Sequence, residues 1–175
     1  MNLKKIINSL KSKNHITIML VMQTFAFCKS TDSLSYYEKF NLATNSYKQG
    51  RYLLSENLFK NILINDKDYF DPAAQLMMAK SQYQMARYKE AIRAAKAILS
   101  NYNESPYEID VLMLLGDIAL AKGESTNAFS HYLKARKKIN ENLYIKFIDK
   151  RIYNSIGMGI DETAIEGILF QEENS

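Results

Sequence analysis

The 175-residue sequence has one cysteine, two histidines, two prolines, six glycines and no tryptophan. A single cysteine excludes a disulfide framework within the chain, and zinc sites need several cysteine or histidine ligands. Outside the first 28 residues the one histidine is His131, so no nucleophile, base and orienting group can be assembled around histidine. The sequence therefore predicts a protein that is not an enzyme and that has no metal and no cofactor.

The composition predicts a folded, all-α protein. Apolar residues make up 47% and charged residues 24%, which is ordinary for a globular chain and unlike a disordered one. The scarcity of proline and glycine argues against a loop-rich β-sandwich. Long stretches rich in alanine, leucine, lysine, glutamate and methionine favour helix.

The positive charge is confined to the amino-terminal segment. The 23 basic residues exceed the 19 acidic ones by four, and residues 1–28 contain four lysines and no acid. The rest of the chain therefore has no net charge. A helical repeat that binds nucleic acid would be basic over its whole array, so we expect no nucleic-acid partner.

The same segment has the organisation of a secretory signal. The lysines precede the apolar run 16–22, and a polar run follows from residue 29. The apolar run is short for a membrane anchor. We predict a signal peptide or lipoprotein signal over 1–28, a linker over 29–34, and an exported protein that is periplasmic or associated with the outer membrane.

Two alternatives remain open at Cys28. It stands where a bacterial lipoprotein has its lipidated residue, although Phe27 replaces the usual small residue and Phe25 the usual leucine. Cleavage after Cys28, with Ala26 as the other small residue, is the competing prediction. In both cases the membrane is contacted only through the signal segment or a lipid anchor.

A repeat of helix, tight turn and helix runs through the chain. In copies 36 and 37 residues apart, a small residue is followed twelve positions later by another, and a turn residue stands five positions before the second. The small pairs are Ala43 and Ser55, Ala79 and Ala91, Gly116 and Ala128, and the turn residues are Gly50, Ala86 and Gly123. Small residues that straddle a turn allow two antiparallel helices to cross closely, and glycine ends the first helix in a left-handed conformation. Asp71-Pro72 and the capping box of Ser105-Pro106 supply matching helix starts.

These columns resemble the tetratricopeptide repeat. The matching residues are Leu42, Ala43, Ser55, Phe59 and Ile62; Met78, Ala79, Ala91, Ala95 and Ile98; and Leu115, Gly116, Ala128, Tyr132 and Ala135. The period is longer than the family's 34 residues, as in extracytoplasmic members with longer turns between repeats, and the early tryptophan position is Lys39, Gln75 and Leu112. The resemblance implies a right-handed superhelical array of antiparallel helix pairs, a TPR-like α-solenoid, with three repeats over 35–140.

A degenerate fourth copy is predicted over 141–175. Its helices cover Asn142 to Ile156 and Asp161 to Gln171. The last helix has an apolar stripe formed by Ile165, Ile168, Leu169 and Phe170. Because terminal repeats normally end in a polar surface, we expect this stripe to be covered by self-association.

The resemblance also implies where a partner binds, because the first helices of such arrays line a concave face. The predicted partner-binding residues are Phe40, Thr44, Tyr47, Leu76, Lys80, Tyr83, Met113, Asp117 and Leu120. We predict a non-enzymatic scaffold that binds a protein or peptide in the cell envelope. The alternative is the amino-terminal helical-repeat portion of a longer periplasmic solute-binding or cell-wall accessory protein.

The remaining charged and polar clusters are predicted to be surface residues. We expect His131 to be solvated, Asp161 to lie at a helix start, and the basic residues 134–138 to favour the end of a helix through its dipole. The acidic cluster around Asp66 lacks the glycine and terminal glutamate of a calcium loop.

Overall fold

The computed structural model describes residues 34–65, 71–101, 105–139 and 142–174. The predicted signal segment, the lipidation candidate Cys28 and almost all of the predicted linker lie outside these residues. So do Asp66 and Asp68 of the acidic cluster. The described part divides into two compact units, one ending at Asn41 and the other running from Leu42 onward.

The described residues contain eight α-helices and no strand. The helices are α1 (Tyr36–Lys48), α2 (Tyr52–Asn65), α3 (Pro72–Gln84), α4 (Tyr88–Asn101), α5 (Glu108–Ala121), α6 (Ser125–Lys137), α7 (Asn142–Gly157) and α8 (Glu162–Glu173). The predicted all-α helical-repeat solenoid is confirmed.

The first unit, as far as it is described, is the start of α1. Ser35 and Glu38 form a reciprocal cap: the Ser35 N–H donates to Glu38 Oε2 at 2.8 Å, and the Glu38 N–H donates to Ser35 Oγ at 3.4 Å. The hydrogen bonds from Ser35 lower the pKa of Glu38. The ring of Tyr36 packs edge-on against Tyr37 and lies 6.0 Å from that of Phe40.

The turns within the helix pairs adopt the predicted left-handed conformation. The φ angles are +74° at Gly50, +77° at Gly123 and +88° at Gly159, and Ala86 has +57° despite its Cβ. At the turn after α1, the Gly50 N–H donates to the Tyr47 carbonyl and the Arg51 N–H to the Ser46 carbonyl, both at 2.9 Å. These two bonds satisfy carbonyls that a helix end otherwise leaves free.

One predicted helix start is confirmed and one is wrong. Asp71 caps α3, since its Oδ1 accepts from the Ala73 and Ala74 N–H groups. By contrast, α5 begins at Glu108 rather than at Pro106, and Tyr107 at its start makes no side-chain cap. Ser105 Oγ accepts instead from the Tyr107 N–H at 3.2 Å. That local bond holds residues 105–107 in a turn and removes the hydroxyl from the predicted capping box.

The repeat columns form the core of the second unit. Within it, each helix from α2 to α6 packs on the next one along the chain, α3 also contacts α5, and α6 also contacts α8. Full burial is shared by the small residues and by the residues one turn after them: Ala43, Ser55, Phe59, Ala79, Ala91, Ala95, Ala128 and Tyr132. The twelve-residue spacing in the sequence therefore identifies the residues at which the helices pack together.

We expect Ala91→Leu to lower the free energy of unfolding by about 1 to 3 kcal/mol, because Ala91 is fully buried in a cluster with Ala79. Thermal unfolding followed by circular dichroism measures this. Arg93→Leu, at an exposed position of the same helix, should leave the midpoint nearly unchanged. An unchanged midpoint for Ala91→Leu would mean that the repeat register is wrong.

Candidate protein-binding groove

The first helices of all four pairs enclose a cavity of about 310 Å³, here called the groove cavity. It is open to solvent on one side. Its lining residues are Tyr47 of α1; Lys80, Tyr83 and Gln84 of α3; Ile109, Asp110, Met113, Leu114 and Asp117 of α5; and Phe147, Ile148 and Arg151 of α7. No residue of a second helix is among them, so the cavity follows from the alternation of helices along the chain.

The groove cavity is apolar inside and aromatic at its edge. Leu114 and Ile148 are buried, and Ile109 and Met113 are partly buried against the core between α5 and α7. Phe147 is 52% exposed. An exposed aromatic ring next to buried aliphatic side chains offers apolar area that a bound side chain would cover.

A network of charged and hydroxyl groups fixes one wall of the groove cavity. Arg151 Nε donates to Asp117 Oδ1 at 2.8 Å, and a second guanidinium nitrogen donates to Oδ2 at 3.3 Å. Tyr132 Oη, from the second helix α6, donates to the same Oδ1 at 2.8 Å. The two-pronged arginine–carboxylate geometry is directional. It therefore holds α5, α6 and α7 in one arrangement.

The remaining charges of the groove cavity are also paired. Lys80 Nζ donates to Asp110 Oδ1 at 3.0 Å and so joins α3 to α5. The guanidinium carbon of Arg151 lies 4.1 Å from the centre of the Phe147 ring, a cation–π distance. Both cations of the lining thus have a carboxylate partner, and the cavity presents no unpaired charge among the described residues.

Burial raises the pKa of the groove tyrosines, so they stay protonated near neutral pH. For Tyr47 burial is opposed by a hydrogen bond from Gln84, whose Nε2 lies 3.4 Å from the hydroxyl. For Tyr83 the charge of Asp117 adds to the effect of burial on the pKa. Burial is the largest single effect on the pKa of Arg151 and lowers it, but the hydrogen bond to Asp117, the negative charge of Asp117 and the contact with Tyr132 together outweigh it, so the pKa is raised.

Five of the nine residues predicted to bind a partner line the groove cavity: Tyr47, Lys80, Tyr83, Met113 and Asp117. The other four lie elsewhere. Leu76 is 3% exposed and belongs to the buried cluster that α3, α4 and α5 share. Thr44 is partly buried with its hydroxyl oxygen enclosed. Leu120 packs against the buried cluster that α5, α6 and α7 share. Phe40 belongs to the first unit.

Reasoning from the repeat missed the contribution of α7. Its frame equates Asp149 and Tyr153 with the groove positions Met113 and Asp117, whereas α7 lines the cavity through Phe147 and Arg151, two positions earlier. In the fourth copy Ile152 replaces the first small residue of the pair, so α7 does not follow the repeat frame at this position. The sequence contained one signal for this part of the site, namely an aromatic residue followed four positions later by an arginine, Phe147 and Arg151.

Among the described residues, no three His, Cys, Asp or Glu side chains are grouped so as to hold a metal ion. In the same residues no helix combines the length and the apolarity needed to cross a membrane.

Solved structures that superpose on this chain include type III secretion chaperones. SycD of Yersinia enterocolitica, in complex with a peptide of the translocator YopD, superposes with a TM-score of 0.57 at 20% identity, over 78% of this chain and 93% of that one. PcrH of Pseudomonas aeruginosa gives 0.60 at 14% identity, over 71% and 96%. PcrH in complex with the chaperone binding region of PopD gives the same values.

At these identities the likeness shows the fold, which is a TPR-like helical-repeat fold. No protein-family model and no curated protein matches the sequence.

Proposed function

We propose that this chain is a non-enzymatic binding protein that holds a peptide segment of another protein in the groove cavity. The observation that carries the proposal is the lining of that cavity: the first helices of four pairs supply an apolar interior, aromatic edges and charges that are already paired. At about 310 Å³ the cavity is at the small end of ligand pockets. It suits side chains of a peptide rather than a folded domain.

The paired charges define which side chains fit. A charged ligand side chain would have to compete with Asp110 for Lys80 or with Asp117 for Arg151, at the cost of an existing ion pair. A large apolar or aromatic side chain would break no ion pair, and the hydrophobic effect would favour its burial in the cavity. We therefore propose that the bound segment inserts a neutral, apolar side chain beside Phe147 and Met113.

The structural neighbours support a peptide ligand. The matched structures include SycD with a peptide of YopD, and PcrH with the chaperone binding regions of PopD and PopB. YopD is a partner of SycD, and PopD and PopB are partners of PcrH. What carries over to the proposal is the use of this fold to bind a segment of another chain.

Tyr83→Ala combined with Lys80→Ala should weaken peptide binding at least about tenfold, roughly 1.4 kcal/mol. Tyr83 contributes apolar area at the cavity edge, and Lys80 positions Asp110 across it. Binding energy usually concentrates in a few such side chains. Peptides selected on the wild-type chain from a random display library provide the ligands, and fluorescence anisotropy measures their affinity.

The matched control removes a tyrosine and a lysine from other surfaces. Tyr153 is 74% exposed and Lys89 is exposed, and neither lines the groove cavity. Tyr153→Ala with Lys89→Ala should keep full affinity, and all variants should keep the wild-type helix signal. If the control pair abolishes binding while the groove pair retains it, peptides bind elsewhere and the proposal is wrong.

We also propose that the chain is exported to the bacterial envelope, on the basis of the basic, apolar and polar succession in residues 1–33. Mass spectrometry of protein purified from envelope extracts should then find a mature terminus near residue 28 or 29. A diacylglycerol group on Cys28 would identify the lipoprotein form. An intact Met1 on soluble cytoplasmic protein would contradict export.

Self-association through the last helix belongs to the same proposal. Leu169 is 40% and Phe170 is 70% exposed on α8, and one matched SycD structure is described as an alternative dimer. Sedimentation velocity should show a dimer that Phe170→Asp converts to a monomer. A wild-type monomer at all concentrations would contradict it.

A further inference from the structure

The two cations of the groove cavity keep part of their hydration although each is paired with a carboxylate. The side chain of Arg151 is 27% exposed and that of Lys80 is 29% exposed. Both line the cavity, so a ligand side chain that fills it displaces water from them. Removing water from a charged group costs free energy unless another group interacts with the charge. The preferred ligand side chain is therefore one that is neutral and still attracts a cation.

The contact between Arg151 and Phe147 shows which kind of side chain meets this requirement. The guanidinium carbon lies 4.1 Å from the centre of the ring, and hydrogen bonds to Asp117 hold the guanidinium group in place. The face of an aromatic ring has partial negative charge and attracts a cation. An aliphatic side chain has no such face, so it would remove water from the cation and offer no attraction instead.

The tyrosines of the groove cavity add to the preference for a ring. Tyr47 packs against Tyr52 of α2 with the ring centres 5.4 Å apart, and Tyr83 packs against Tyr88 of α4 with the ring centres 6.1 Å apart. These contacts hold both groove tyrosines in place before a ligand binds, so little conformational freedom is lost on binding. Aromatic rings attract one another more strongly than their buried area alone accounts for. A ligand ring would therefore gain from these tyrosines as well.

We propose that the groove cavity selects an aromatic side chain of the bound segment over an aliphatic side chain of the same size. The ring would lie beside Phe147 and Met113, with its face toward the guanidinium group of Arg151. This inference rests on the proposed binding of a peptide in the groove cavity, and it adds the chemical class of the side chain that is recognised. Arg151 would be the residue that determines this specificity.

Cyclohexylalanine distinguishes this selection from simple burial of apolar area. Its saturated ring has nearly the size and shape of the phenylalanine ring and is at least as apolar, but it has no charged face. If buried apolar area alone determined affinity, cyclohexylalanine would bind at least as tightly as phenylalanine. Attraction between the face of the ring and Arg151 predicts the opposite order.

Nuclear magnetic resonance of the full chain tests the proposal through the Met113 methyl signal, which is identified by its absence from Met113→Leu. The probes are acetyl-Gly-Phe-Gly-amide and the same tripeptide with cyclohexylalanine in place of phenylalanine. We expect the phenylalanine tripeptide to bind with a dissociation constant on the order of 1 mM and the cyclohexylalanine tripeptide to bind at least about threefold more weakly. The tripeptide with pentafluorophenylalanine, in which fluorine reverses the charge of the ring face, should also bind more weakly.

A pair of arginine variants tests the role of Arg151. Arg151→Gln removes the cation, so the phenylalanine and cyclohexylalanine tripeptides should bind it equally. Arg136→Gln is the matched control, because Arg136 Nε donates to Asp149 Oδ1 at 2.9 Å and neither residue lines the groove cavity. This variant should keep the full preference for phenylalanine. A preference that survives in folded Arg151→Gln would contradict the role of Arg151. Because Arg151→Gln also breaks the ion pair with Asp117, the comparison of probes on the wild-type chain stands whether or not that variant folds.

The failure of this inference is distinguishable from the failure of the proposed function. Equal binding of the phenylalanine and cyclohexylalanine tripeptides, or tighter binding of the latter, would overturn the aromatic preference and leave peptide binding in the groove cavity intact. A Met113 signal that no probe moves would contradict both.

His131 provides a second control. The sequence predicts a solvated side chain, but His131 is partly buried in the wall of another cavity, between α4, α5 and α6, and it does not line the groove cavity. Its imidazole signal should stay in place when the phenylalanine tripeptide is added. A shift of His131 with Met113 unmoved would mean that the ring binds outside the groove cavity and would overturn the proposal.

Discussion

Tyr132→Ala is expected to lower the free energy of unfolding by about 3 to 5 kcal/mol, the largest effect of any single substitution considered for this chain. Tyr132 is fully buried and is the largest such side chain among the described residues. Its ring fills the space beside Gly116, and its hydroxyl donates to Asp117. Alanine would leave a cavity and remove one donor from the Asp117 network. Chemical denaturation monitored by circular dichroism measures the loss.

Tyr132→Phe separates the ring from the hydroxyl. It keeps the packing and removes one hydrogen bond, while Asp117 stays paired with Arg151. We therefore expect a smaller loss of about 1 to 2 kcal/mol. If alanine cost no more than phenylalanine, the ring would not be packed as described.

Gly116→Val should cost about 3 kcal/mol, at the upper end of overpacking effects. A Cβ built at Gly116 lies within 2.3 to 2.8 Å of three atoms of the Tyr132 ring. That ring is fully buried and hydrogen-bonded, so it has little freedom to move. The loss occurs although valine is a better helix former than glycine. Chemical denaturation again supplies the value.

Two controls isolate the contact with Tyr132. Gly157 also lies in a helix, α7, but nothing lies within 4 Å of a Cβ built there, so Gly157→Val should have little effect. In a chain that already has Tyr132→Ala, Gly116→Val should be close to neutral because the ring is gone. Such a double-mutant cycle would give a large coupling energy. Simple additivity of the two losses would contradict the contact.

Much of the fold was predictable because close helix packing needs small residues at repeated positions. Ala79 and Ala91 are such a pair, and both are buried in one cluster. Gly50 and Gly123 stand where the backbone turns with positive φ. Local rules and global packing agree at these positions, which is why a single sequence indicates them.

The start of α5 was not predictable from its residue types. Ser105, Pro106 and Glu108 fit a capping box, yet the Ser105 hydroxyl bonds to the Tyr107 N–H. The two arrangements use different donors: in a capping box the hydroxyl accepts from the Glu108 N–H, whereas in the structure that N–H donates to the Ser105 carbonyl at 3.0 Å. The choice between them depends on tertiary packing that the local sequence does not encode.

The site was predictable to the extent that the repeat is regular. Lys80, Tyr83 and Asp117 lie in the groove cavity because α3 and α5 follow the repeat frame. Phe147 and Arg151 were missed because the last pair departs from that frame. The contact of Asp117 with Tyr132 and Arg151 joins residues from three helices, and no pattern within one helix indicates it. The binding role of all these residues remains a prediction.

Methionine-methyl nuclear magnetic resonance of the full chain tests the groove proposal most directly. Met113 lines the groove cavity, whereas Met158 is 62% exposed at the end of α7 and does not. When a peptide selected from the display library is added, the Met113 methyl signal should shift and that of Met158 should stay in place. A shift of Met158 with Met113 unmoved would contradict peptide binding in the groove cavity.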